Sequence, residues 1–143
     1  MTAFVVDASL VVKWFIPEVH AAAARRWLDT PHEYIAPDLV FPEVGSAIWK
    51  KVRRGELSPE VAQSLVKDLA AIGVETVSMR VLLSDAHALA VRTGVTVYDA
   101  TYLTLAVRLD TQVITGDDRF ARKLAEHQLL APHVRSVEDF VAG

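Results

Sequence analysis

The chain has 143 residues, 52% of them hydrophobic, a mean hydropathy of +0.26 and a formal net charge of −3. That length predicts one domain over residues 1–143 with a sizeable core, and the apolar content excludes a disordered chain. Without cysteine there are no disulfides, thiolate zinc sites or cysteine nucleophiles, which suits a reducing cytoplasm. Asp7 and Lys13 interrupt the N-terminal apolar run, so it does not read as a signal peptide, and no run approaches membrane-spanning length.

Ala3-Phe4-Val5-Val6 reads as a buried first strand, β-branched and aromatic without polar alternation. Ser9 predicts the start of a short helix over residues 10–15 that stops near Pro17, and a second helix covers 21–28. After the Thr30-Pro31-His32 turn, Tyr34-Ile35-Ala36 predicts the second strand. Pro37-Asp38 opens a helix whose apolar face is Val44, Ala47, Ile48 and Val52, with Lys50, Lys51, Arg53 and Arg54 in its last turns before Gly55. Ser58-Pro59 caps the next helix, faced by Ala62, Leu65, Val66 and Leu69, so the two form a helical hairpin.

Residues 74–77 are extended, and a helix follows over 80–92 with Gly94 beyond its end. Val95-Thr96-Val97 reads as a brief buried segment leading to Tyr98-Asp99, then a helix over 100–109 and a strand over 112–115. Gly116-Asp117-Asp118 turns into a helix carrying Phe120 and Leu124, a last strand covers 134–137, and 138–143 is a tail. Strands alternating with helices predict a three-layer α/β/α domain with a mainly parallel central sheet.

In an open parallel sheet, ligands sit beyond the carboxyl ends of the strands. Asp7 and Asp117 stand at such ends, and Glu43 and Asp99 open helices that point to the same edge. Singly, each has a plain structural reading: Asp99 as an N-cap, Glu43 as a complement to its helix dipole, Asp117 and Asp118 as turn residues. Asp7 follows Val5-Val6 directly, and a buried carboxylate needs partners. Together, converging carboxylates repel one another unless a cation is bound, and oxygen-only ligands select Mg²⁺ or Mn²⁺ over zinc. Such an ion activates water and stabilises the departing oxygen of a phosphodiester. Ser9 and Thr115 are hydroxyls placed to support the carboxylates.

At Val6-Asp7-Ala8-Ser9, Pro42-Glu43-Val44, Tyr98-Asp99-Ala100-Thr101-Tyr102-Leu103 and Thr115-Gly116-Asp117-Asp118-Arg119-Phe120, the chain resembles the PIN-domain family of metal-dependent nucleases. It is most similar to the toxin half of VapBC-type toxin–antitoxin pairs, with the four pieces in the family's order across nearly the whole chain. The resemblance implies a PIN-like fold and an acidic quartet of Asp7, Glu43, Asp99 and Asp117. In it, Asp7 and Asp99 are the main Mg²⁺ ligands, Asp117 completes the coordination, and Glu43 ligates or orients the attacking water. Endoribonuclease activity, homodimers and inhibition by a small antitoxin protein are further implications. The family's Thr-x-Asp spacing selects Asp117 over Asp118.

A net charge of −3 is unusual for a nucleic-acid binder unless the acids are concentrated in one site. Arg119, Arg122 and Lys123, immediately after Asp117, supply a basic rim for RNA, whereas Lys50 to Arg54 reads equally as a solvated helix end. The five histidines read as surface or cap residues, and Trp14, Trp27 and Trp49 as core or interface anchors. Two other functions compete. In an aspartyl-phosphate phosphotransferase Asp7 would be the nucleophile, although Ser9 stands where a second acid belongs. The other is a PIN-fold module that binds nucleic acid or protein without catalysis.

Overall fold

Strand β1 (Ala3–Val6) lies at the centre of the sheet, with Val5 and Val6 both fully buried. Successive strand residues face opposite sides, so both faces of the sheet are covered. The computed structural model describes residues 3–139. Strands β2 (Glu33–Pro37), β3 (Glu75–Val77), β4 (Val113–Thr115) and β5 (Val134–Ser136) complete a five-stranded sheet of order β3-β2-β1-β4-β5, parallel throughout. The chain builds outward from β1 to β3, then crosses back to add β4 on the other side. The strand order therefore reverses between β1 and β4, where parallel sheets bind ligands.

Seven helices stand among the described residues: α1 (Ala8–Phe15), α2 (Ala21–Leu28), α3 (Val40–Arg53), α4 (Pro59–Ala70), α5 (Met79–Thr93), α6 (Val97–Arg108) and α7 (Asp118–Ala125). Helix α6 packs across β1, β2 and β4 and against α5, and every residue from Ala100 to Ala106 is buried. Helix α1 packs on α2, α3 and β4. The expected hairpin is α3–α4, with Ser58 Oγ accepting from Val61 N at 3.2 Å and Pro59 opening α4. No helix among the described residues is long and apolar enough to cross a membrane.

Several local expectations shift. Pro37 closes β2 instead of opening a helix, paired in register with Val77. Asp38 then fastens two crossovers together: its N–H donates to Val77 O at 2.9 Å and its carboxylate accepts from Met79 N at 3.1 Å. In place of the expected brief buried segment, Thr96 caps α6 and Val97 is its first residue; of the three only Val95 is buried. The last strand ends at Ser136, one residue short of the expected Val137, because Val137–Asp139 forms a short 3₁₀ turn, and residues 140–143 of the expected tail lie outside the described residues.

Trp14 and Trp27 are core residues, but Trp49 is 52% exposed, with the Arg53 guanidinium 5.1 Å from its ring centre. His32 is half-buried, with its ring meeting Phe4 and Trp27 edge-on or tilted, at 4.9 and 6.1 Å.

Candidate metal and active site

Asp7 follows the last residue of β1 and N-caps α1; its Oδ1 accepts from Leu10 N at 3.0 Å and from Ser9 Oγ at 2.6 Å. The cap expected of Ser9 is thus supplied by Asp7, because the helix starts two residues earlier, at Ala8. This frees the Ser9 hydroxyl to join two strand ends. It lies 3.2 Å from Thr115 Oγ1 and accepts from Gly116 N at 2.9 Å. Thr115 Oγ1 in turn accepts from Asp117 N at 3.0 Å. Asp117 caps α7, with Oδ1 accepting from Arg119 N at 2.9 Å and Phe120 N at 3.3 Å. Gly116 makes the approach possible: a Cβ there would lie 2.5 Å from Lys13 Cε and 3.1 Å from the Ser9 carbonyl oxygen.

The other two acids arrive on helices. Glu43 lies in the first turn of α3. Asp99 lies in the first turn of α6, where its N–H donates to Thr96 Oγ1 at 3.1 Å, so the cap there is Thr96. Sequence reasoning passed over Tyr102, whose hydroxyl donates to Glu43 Oε1 at 2.6 Å. The available signal was its place three residues after Asp99, on the same side of a helix.

Asp99 is the electrostatic centre of the group. Burial pushes the Asp7 carboxyl up to about 6 against bonds from Ser9, Thr115 and Leu10, and the charge of Asp99 adds to the rise. Burial also raises Glu43, with the Tyr102 bond opposing and Asp99 reinforcing. Asp99 is itself raised by burial and then by Asp117, against Thr96 and Lys123. The Tyr102 phenol is pushed far above its ordinary range, first by burial and then by Glu43.

The four carboxylates sense one another without forming a tight cage. Among the described residues, the three ligand groups that fall within 4.8 Å of one another are His20, Asp118 and Glu138. Asp118 thus belongs to a different cluster from Asp117. That trio contains a His20 Nε2–Glu138 Oε1 pair at 2.5 Å, which joins the start of α2 to the turn after β5.

The basic residues of α7 divide. Lys123 Nζ donates to Gly94 O at 2.7 Å and acts on Asp99, while Arg119 and Arg122 are exposed. On α3, Lys51 pairs with Glu18 and Glu56 at 3.4 Å each, whereas Lys50 and Arg54 make no ion pair among the described residues.

Fold and site together define a parallel α/β protein whose sheet carries an all-oxygen acidic centre at its carboxyl edge. The chain belongs to the PIN-domain family: residues 4–125 match the PIN domain. It is 36% identical over 121 residues to Ribonuclease VapC3 of Pyrobaculum aerophilum, covering 83% of this chain and 92% of that one. To Ribonuclease VapC1 of Mycobacterium tuberculosis it is 33% identical over 117 residues, covering 82% and 87%. The fold resembles that of PAE2754 from Pyrobaculum aerophilum, with a TM-score of 0.68, 24% identity and 96% and 93% of the two chains covered. It also resembles Mycobacterium tuberculosis VapC20, a sarcin-ricin loop cleaving toxin, with a TM-score of 0.64, 18% identity and coverage of 83% and 93%. A further resemblance, TM-score 0.64 at 14% identity and coverage of 94% and 97%, is to a toxin–antitoxin complex from Klebsiella pneumoniae.

Proposed function

We propose that the protein is a Mg²⁺-dependent endoribonuclease, able to use Mn²⁺, and the toxin half of a type II toxin–antitoxin pair in the cytoplasm. The whole chain serves as one catalytic domain. The observation that carries this reading is the convergence of four acids at the strand-order reversal, where the charge of Asp99 bears on Asp7 and Glu43 and that of Asp117 bears on Asp99.

The donors suit such an ion. They are all oxygen, and burial raises the carboxyls of Asp7 and Asp99 with neighbouring carboxylates adding to the rise, so a cation there would offset a cost that Lys123 only partly relieves. Mg²⁺ keeps several waters and takes only one or two carboxylates, so a dispersed set fits it better than a closed cage. Asp7, Asp99 and Asp117 would hold the ion. When bound, it supplies activation of water and stabilisation of the departing oxygen.

The chain's own groups do the rest. Tyr102 fixes Glu43 through Oε1, leaving Oε2 to accept a proton from the attacking water. Ser9 and Thr115 hold Asp7 in place. Arg119, Arg122 and Lys123 form the basic rim toward RNA, with Lys123 set back by its bond to Gly94. A small antitoxin protein and a second copy of the chain are the proposed partners; the names VapC and toxin–antitoxin complex among its relatives support the first.

The test is induced expression of the wild type and of Asp99→Ala, with growth and total RNA followed in both. Growth arrest with discrete RNA fragments in the wild type alone is expected. Intact RNA and normal growth in both, together with no cleavage of purified RNA in Mg²⁺, would overturn the reading.

A further inference from the structure

Beside the carboxylates a cleft of about 500 Å³ opens between α3 and the start of α6, walled by Pro42, Glu43, Ser46, Ala47 and Lys50 on one side and Tyr98 on the other. Glu43 belongs to both the cleft and the acidic centre, and Tyr98 immediately precedes Asp99. The cleft therefore shares a wall with the reacting groups.

Its two unusual residues are not explained by the fold. Tyr98 is 59% exposed and takes part in none of the ring contacts that occupy Phe4, Trp14, Trp27 and Tyr34. Lys50 is exposed and makes no ion pair among the described residues, although its neighbour Lys51 makes two and Arg53 lies over Trp49. A second cleft, of about 240 Å³, lies beyond Ala47 and Lys50 and extends to Arg54 and to Ser9, whose hydroxyl bonds Asp7. Lys50 thus stands between two clefts that both touch the acidic centre. It is seven residues after Glu43 on the same helix face, about 10 Å along the axis, so its ammonium sits apart from the carboxylates.

The geometry points to Tyr98 and Lys50 as the subsite for the nucleotide next to the cut in single-stranded RNA. The base stacks on the Tyr98 ring, the neighbouring phosphate pairs with Lys50 Nζ, and the strand continues toward Arg54. A cleft of this size takes a single unpaired nucleotide, and a bare aromatic face beside a cation is how unpaired strands are held without sequence readout. The assignment rests on the nuclease reading and extends it: the substrate path runs along α3 as well as α7.

The test uses a labelled pool of random-sequence single-stranded RNA. Its binding is measured to Asp7→Asn protein alone and combined with Tyr98→Ala, Tyr98→Phe or Lys50→Ala; KM and kcat are measured for the same changes in the active chain. Expected are binding about tenfold weaker for Tyr98→Ala and parental binding for Tyr98→Phe. Lys50→Ala should lower the salt dependence by about one ionic contact. In active protein KM should rise with kcat nearly unchanged, and melting temperatures should match.

Unchanged binding on adding either alanine change to Asp7→Asn, with a wild type that cleaves RNA, would overturn the subsite and leave the nuclease intact. Equal losses in Tyr98→Phe and Tyr98→Ala would overturn stacking. A Tyr98→Ala chain that keeps RNA but loses its inhibitory protein partner would make the cleft a protein-docking surface and overturn the assignment. A wild type that neither binds nor cleaves RNA in Mg²⁺ would overturn the nuclease reading, and the subsite with it.

Discussion

The Tyr102 hydroxyl reaches Glu43 Oε1 at 2.6 Å, joining α6 to α3 across a sequence separation of 59 residues. This bond orients the acid proposed to handle the attacking water, and it holds Glu43 more acidic than burial alone would leave it. Tyr102→Phe keeps the ring, which is 2% exposed, and deletes only the donor. We expect about 1 kcal/mol of lost stability and cleavage roughly tenfold slower at neutral pH. Without the bond the Glu43 carboxyl rises further, so the acidic limb of the pH–rate profile should move to higher pH. A profile that keeps its position would show that Glu43 titrates independently of Tyr102.

Asp7 gives a stability prediction with a definite sign. Its folded pKa is raised from 3.8 to about 6, so folding favours the protonated form. The stabilisation is complete below the unfolded value and is lost as pH rises through about 6, amounting to about 3 kcal/mol for the metal-free protein. Asp7→Asn retains the cap acceptor for Leu10 N and carries no charge. Urea unfolding in EDTA should therefore show the Asn variant gaining on the wild type from pH ~4 to ~8, and Mg²⁺ should narrow the gap. A gap that does not vary with pH would mean that folding does not raise the Asp7 carboxyl.

Asp99→Asn removes the charge that adds to the burial-driven rise of both Asp7 and Glu43. Carboxyl carbon NMR titration should find both groups shifted down in the variant. Mn²⁺ binding by calorimetry should weaken at least ~tenfold, about 1.4 kcal/mol. Unmoved titrations of Asp7 and Glu43 would place Asp99 outside the cluster.

Two glycines should respond with opposite signs to alanine. Gly116→Ala would set a methyl 3.1 Å from the Ser9 carbonyl and drive Lys13 from its place, at a cost of ~1–3 kcal/mol with cleavage reduced. At Gly45, within α3, a Cβ would meet nothing within 4 Å, so Gly45→Ala should stabilise by ~0.5–1 kcal/mol. Thermal unfolding of both variants decides this, and a stabilised Gly116→Ala would count against the close contact.

Much of this architecture is written locally. Val5-Val6 announces a strand buried on both faces, Ser58-Pro59 announces a capped helix, and Asp7 after a β-branched run announces a carboxylate in need of partners. What stayed hidden depends on distance along the chain. The bond from Tyr102 to Glu43 exists only once α3 and α6 meet, and Asp118 meets His20 and Glu138 only after the sheet closes. Val95-Thr96-Val97 misled for a different reason. Its β-branched residues suit an extended segment, but Thr96 serves as a cap and starts the helix three residues early.

The caps at Asp7 and Asp117 have an evolutionary consequence. Both acids bond helix N–H groups that an asparagine can satisfy equally well, so a single base change would remove a proposed metal ligand and leave the fold standing. A chain whose activity burdens its host therefore has an easy escape route. Cells surviving forced expression should carry full-length, soluble protein with substitutions concentrated at Asp7, Glu43, Asp99 and Asp117, and comparatively few truncations.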